Sequence, residues 1–255
     1  MNRHVAFAFV IAGITGFQVV TAWKPCRAQV HLTADIPATR DNTIYQEGSY
    51  SNGLGQYIFA GNNAGGADAT PDARRALLYF AIADNLPAGA LIDSVRMTLY
   101  MSKTIAPASA LTIHKLTADW GEGSSNATGP EGAGADALPG DATWLRRFFD
   151  TTSWTTPGGD FVAGTSASQM VGSIGSYVWK STQMRIDVQS WLDSPVSNFG
   201  WILIGDETVS ATAKRFDSRE HSVVAYRPKL TVYYTTQTVP VQSSTWGSVK
   251  ALYRR

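Results

Sequence analysis

The chain has 255 residues, of which 44% are hydrophobic and 16% charged, with 23 Gly and 11 Pro. That length and balance describe a globular domain with a sizeable core, and exclude both a disordered chain and one that spans membranes throughout. The formal charge of +1 comes from 21 basic and 20 acidic residues and provides no broad footprint for nucleic acid.

Arg3 precedes an apolar stretch from Val5 to Val20, and the small residue Ala28 follows Trp23, Lys24 and Pro25. This is the pattern of a secretory signal peptide, read as residues 1–28 with cleavage after Ala28. An uncleaved membrane anchor is the alternative, because the apolar run approaches spanning length. Cys26 lacks the run that precedes a lipid-modified cysteine. Arg3, Lys24 and Arg27 are the charged residues of this segment, so removing it takes the charge from +1 to −2 and removes the single Cys. An exported domain without disulfides relies on its core or on bound ions.

Beyond Gln29 the pattern is one of short strands. Val95, Met97, Leu99 and Met101 alternate with Arg96, Thr98 and Tyr100, which predicts a half-buried strand. Leu230, Val232 and Tyr234 alternate with Thr231 and Tyr233 in the same way. The segment 76–82 is apolar on both faces, as a covered central strand is. Shorter candidates lie at 30–35, 42–46, 57–61, 111–117, 177–180, 201–204 and 215–219, separated by turn signals such as Asn52-Gly53 and Pro157-Gly158-Gly159. The glycine-rich stretch 121–142 reads as a long surface loop without a core contribution. Val188, Trp191 and Leu192 predict one helical turn, capped by Asp187. About nine strands and no repeat predict an all-β fold: a single antiparallel sandwich of jelly-roll type over residues 29–236. Residues 237–255 read as a linker and amphipathic tail. Trp246, Val249, Leu252 and Tyr253 recur there at helical spacing beside Lys250, Arg254 and Arg255. Docking to a surface or sorting partner and folding back onto the sandwich are equal readings of that tail.

No sequence motif assigns a catalytic residue. The histidines show no zinc spacing, and there is no nucleophile elbow or phosphate loop. His114 falls on the face opposite Leu111 and Ile113 and reads as a solvated strand residue, with a sugar-facing base as the lesser alternative. Seven tryptophans follow the signal segment. Trp191 and Trp201 read as core. Trp120, Trp144 and Trp154 flank the glycine-rich loop and are the candidates for an exposed sugar-stacking platform, or for residues that pin the loop down. Arg215, Asp217 and Arg219 share one face of a strand, which favours an ion-pair ladder over binding of acidic sugars through Arg215 and Arg219. Asp35, Asp41, Glu47, Asp206 and Glu207 are the candidates for a structural calcium site, and no other cofactor is expected.

An ordered set of segments completes the picture: Asp41-Asn42-Thr43-Ile44-Tyr45, Arg75-Ala76-Leu77-Leu78-Tyr79-Phe80, Leu86-Pro87-Ala88-Gly89-Ala90 and Ala118-Asp119-Trp120-Gly121-Glu122. Asp187 to Leu192, Asn198-Phe199-Gly200-Trp201 and Lys214-Arg215-Phe216-Asp217-Ser218-Arg219-Glu220 follow. Over about Asp35 to Tyr234 the chain resembles the DNRLRE domain of secreted bacterial and archaeal proteins, a disaggregatase-related, carbohydrate-binding-module-like family. The segment from Pro139 to Phe161 resembles a stand-alone subgroup of that family. The resemblance implies a β-jelly roll, and some relatives act as carbohydrate-binding modules of polysaccharide-degrading enzymes. It transfers no sugar-contacting residue.

The leading functional expectation is therefore a non-catalytic exported module that binds polysaccharide at the cell surface or in the extracellular matrix. A self-associating or docking envelope protein is the alternative, and a jelly-roll lyase or hydrolase the second. The expected partners are a polysaccharide or cell-envelope component, not nucleic acid, with no membrane span once the signal is removed.

Overall fold

Val95, Met97, Leu99 and Met101 are all buried, while Arg96 is exposed and Thr98 and Tyr100 are half-buried, so the two-residue period seen in the sequence marks the inner and outer faces of one long strand. A computed structural model describes residues 29–63 and 72–237. The expected signal peptide at 1–28 and the tail at 241–255, with Trp246, lie outside the described residues.

The strands in chain order are β1 (Gln29–Pro37), β2 (Arg40–Tyr45), β3 (Tyr50–Ser51), β4 (Tyr57–Asn62), β5 (Ala73–Tyr79), β6 (Leu91–Thr104), β7 (Ser109–Leu116) and β8 (Ala135–Asp136). They continue with β9 (Arg146–Phe148), β10 (Thr152–Ser153), β11 (Phe161–Val171), β12 (Gly175–Trp179), β13 (Trp201–Ile204), β14 (Lys214–Asp217) and β15 (Lys229–Gln237). Two α-helices, α1 (Ile82–Asn85) and α2 (Thr182–Asp193), interrupt them. One layer runs β1-β15-β6-β14-β4, with β12 also paired to β6; the other runs β5-β13-β7-β11, with β2 on β5. The layers join where Gly61 and Asn62 of β4 pair with Arg74 and Ala73 of β5, which makes one curled sheet of 11 strands. Its pairings are antiparallel, and the fold is an all-β sandwich, as the sequence pattern predicts.

The main core lies between the layers. Ile58, Leu99, Met101, Phe216 and Leu230 meet Leu78, Ile113 and Trp201 there, and Trp179 and Trp191 close it. Each such side chain, taken fully out of water, contributes roughly 1.5–3 kcal/mol. The helix α2 seals one end with Met184, Val188, Trp191 and Leu192, a one-sided stripe three turns long. It is longer than the single turn expected from sequence. Its cap is Ser181, whose side chain accepts the Met184 N–H at 3.0 Å, and not Asp187. Asp187 lies inside the helix, buried, where it accepts from Ser166, Gln183 and Trp201.

A second core covers the outer face of the β2-β5-β13-β7 layer. Ile44, Leu77, Leu116 and Ile202 point outward from the strands into Trp120, Ala142, Trp144 and Trp154. β5 is thus covered on both faces, as its continuous apolar run requires. The cover comes from Trp120, Trp144 and Trp154, which bracket the glycine-rich loop, and from Ala142, so the loop 121–142 itself adds a single small side chain to this core. It is held by buried carboxylates. Asp141 accepts the N–H groups of Ser124 (2.7 Å), Ser125 (3.3 Å) and Leu138 (2.7 Å). Glu131 accepts from Asn52 (2.9 Å), Gln56 (3.2 Å) and Tyr57 (3.0 Å). Glycine is needed where the chain passes this anchor: Gly123 has φ +71°, and a Cβ there would stand 1.5 Å from Asp141 Oδ1.

Candidate functional site

The expected stacking platform does not form. Trp120, Trp144 and Trp154 are only 0%, 8% and 5% exposed. Trp120 donates its indole N–H to the Phe199 carbonyl at 2.9 Å, and Trp154 donates to the Thr143 carbonyl at 2.9 Å. Trp144 lies under the Arg75 guanidinium, 4.6 Å from ring centroid to carbon. All three rings are buried, and Trp120 and Trp154 also have satisfied N–H groups, so these residues pin the loop and cannot offer a flat face to a sugar.

His114 is also not solvated. It is 9% exposed and packs against Phe161 at 5.3 Å between centroids. Nδ1 lies 3.1 Å from the Val162 carbonyl and Nε2 lies 3.1 Å from the Thr112 hydroxyl. A carbonyl only accepts, so the proton belongs on Nδ1, and Nε2 accepts from Thr112. Both ring nitrogens thus face partners within the protein.

The opposite layer carries an open aromatic and basic face. Arg215 of β14 is the cross-strand neighbour of Phe59 in β4 and of Lys103 in β6, where a register shift turns both Ser102 and Lys103 away from the core. The Arg215 guanidinium stacks 3.7 Å above the Tyr57 ring, and its Nε donates to Ser102 Oγ at 3.1 Å. Among the described residues neither Arg215 nor Lys103 makes an ion pair, so the expected ladder through Arg215 is absent. A concavity of about 250 Å³ opens beside them, lined by Phe59, Lys103, Ile105, Pro130, Gly132 and Arg215. Tyr57, His221, Tyr226 and Tyr100 continue the face, with Tyr57–His221 at 5.7 Å, His221–Tyr226 at 6.1 Å and Tyr100–Tyr226 stacked at 3.9 Å. Beneath this face, burial holds the Asp217 carboxyl above its ordinary value and the Lys214 ammonium below its own.

Arg219 leaves that face. β14 ends at Asp217, and Arg219 turns toward β2 and the start of the glycine-rich loop. Its guanidinium grips Glu122 through two bonds of 2.6 and 2.9 Å and reaches Glu220 at 2.7 Å. Its backbone N–H donates to Asp41 Oδ2 at 2.7 Å, and the Asp41 N–H donates to Glu122 Oε1 at 2.9 Å. Asp41, Glu122 and Glu220 therefore converge from three distant parts of the chain. Burial, with Glu220 and Glu122 nearby, pushes the Asp41 carboxyl well above the usual range; burial also pushes Glu220 up to about 7. Burial opposes the Arg219 charge, but its bond to Glu122 and the charges of Glu122, Glu220 and Asp41 together outweigh this and raise its affinity for the proton.

Of the five residues expected to hold calcium, only Asp41 belongs to this cluster. Glu47 pairs with Arg74, and Glu207 grips Arg75 at 2.7 and 2.8 Å. Asp206 accepts the Thr208 N–H and hydroxyl at 2.9 and 2.7 Å. Asp35 meets Thr231 and Lys229 across the β1–β15 pair, and these contacts hold its carboxyl below the usual range. These four are dispersed by their own partners, and that calcium set is corrected. Glu122 and Glu220 are not among the expected ligands.

No family model matches the chain, and no curated protein matches it significantly. Among the described residues no helix is long and apolar enough to cross a membrane.

Proposed function

We propose that this chain is a non-catalytic exported module whose open face around Lys103 and Arg215 binds a carboxylate-bearing polysaccharide at a cell surface or in the extracellular matrix. The observation that carries the reading is the pairing of two cations, neither ion-paired among the described residues, with a row of aromatic rings beside a concavity. A guanidinium offers a carboxylate two parallel hydrogen bonds, and an ammonium adds a point charge. Aromatic rings accept the C–H faces of pyranose units. Arg215 is already oriented by Tyr57 and Ser102, so binding orders little that is not ordered beforehand. The signal-like segment at 1–28 and the DNRLRE resemblance support an exported setting and a polysaccharide partner.

A panel of immobilised neutral and uronate-containing polysaccharides tests the reading on the purified protein. The expected result is retention by the uronate polymers alone, weakened by salt and accompanied by no release of sugar fragments. Concentration-dependent assembly without glycan binding would favour the envelope-protein reading instead, and fragment release would establish an enzyme.

A further inference from the structure

We propose that Asp41, Glu122 and Glu220 bind one divalent cation of the calcium type, which ties β2 to the start of the glycine-rich loop and to the turn after β14. Each residue offers a carboxylate oxygen, and these atoms lie within 4.8 Å of one another. Arg219 is the cation bonded to them, so three carboxylates face one guanidinium.

The valences left over are more informative than the charge. Asp41 is wholly buried and gives Oδ2 to the Arg219 N–H, yet its Oδ1 has no hydrogen-bond donor. Glu220 gives Oε1 to the Arg219 guanidinium, and its buried Oε2 also has no donor. Buried carboxylate oxygens without donors are rare in folded proteins. Elsewhere this chain supplies such donors: Glu131, Asp141 and Asp187 each accept three hydrogen bonds. Asp217 also keeps one oxygen without a donor, but its neighbour is His221 at 3.6 Å, and no acidic trio converges on it. Two acceptors left open in one acidic cluster are what a hard cation requires. Calcium takes oxygen ligands in irregular arrangements and completes its shell with water, which suits a site of three carboxylates better than a soft metal does. The site does not depend on the polysaccharide reading.

The test uses the full chain after chelation, titrated with calcium chloride by calorimetry while the melting temperature is followed. Sites of this kind in extracellular modules bind in the range of about 0.1–1 mM. The expected result is about one equivalent bound, and a rise in melting temperature of about 5 °C or more at about 10 mM calcium. Asp41→Asn and Glu220→Gln should each abolish the response. Glu220 is only partly buried, so its variant serves if Asp41→Asn fails to fold. Wild-type protein with no calcium heat and no thermal shift would overturn the proposal, as would an unchanged response in Glu220→Gln. Stabilisation by acid or by Glu220→Gln, without any response to calcium, would show that the two oxygens share a proton instead.

Discussion

Leu99 and Tyr100 are adjacent in sequence and lie on opposite faces of β6. Leu99 is wholly buried between the layers, whereas Tyr100 stacks on Tyr226 at the outer surface. Leu99→Asp should abolish cooperative folding, because an unpaired carboxylate in that core costs roughly 3 kcal/mol or more. Tyr100→Asp should leave a folded protein with a modestly lowered urea midpoint; circular dichroism against urea separates the two. The tryptophans teach a different lesson. Their positions beside the glycine-rich loop were legible in the sequence, but whether the rings faced water depended on what the loop itself did. Trp120→Ala should therefore act on stability, by roughly 3–5 kcal/mol in denaturant melts, and not through ligand contact.

Among the elements, β6, β13 and β15 were readable because alternation or an unbroken apolar run survives in their residues. β11 was not. Its sequence, Phe-Val-Ala-Gly-Thr-Ser-Ala-Ser-Gln-Met-Val, is mostly small and polar, and only its pairing with β7 makes it a strand. The first two turns of α2 were hidden because Thr182, Gln183 and Arg185 mask the single apolar anchor Met184. The glycine-rich loop hid its order for a related reason: that order comes from Asp141 and Glu131, which collect backbone N–H groups from residues far apart. Asp141→Ala would leave those N–H groups buried without an acceptor. It should lower stability by about 2–3 kcal/mol in urea melts and open residues 121–142 to limited proteolysis. A variant as stable and as protease-resistant as the parent would show that the loop is held by its tryptophans alone.

For the whole molecule, the fold places its two chemical features differently. The open face lies on the β4-β14-β6 layer, bordered by Pro130 and Gly132 of the glycine-rich loop and by Tyr226. The acidic cluster gathers Asp41, Glu122 and Glu220, which lie far apart in the sequence and are brought together only by the topology. The face was half legible: Arg215 stood out, whereas Lys103 reached it only through the register shift in β6. Removing Lys103, an exposed side chain without an ion pair among the described residues, should leave the fold unchanged. The most direct measurement is the affinity of a soluble uronate polymer for the parent protein and for Lys103→Glu, taken at low and at physiological salt. A charge reversal there should weaken binding about tenfold or more, a change of about 1.4 kcal/mol or more, with the melting temperature unaltered. Equal affinity of the two proteins, or equal binding of a neutral polymer, would contradict the assignment of this face.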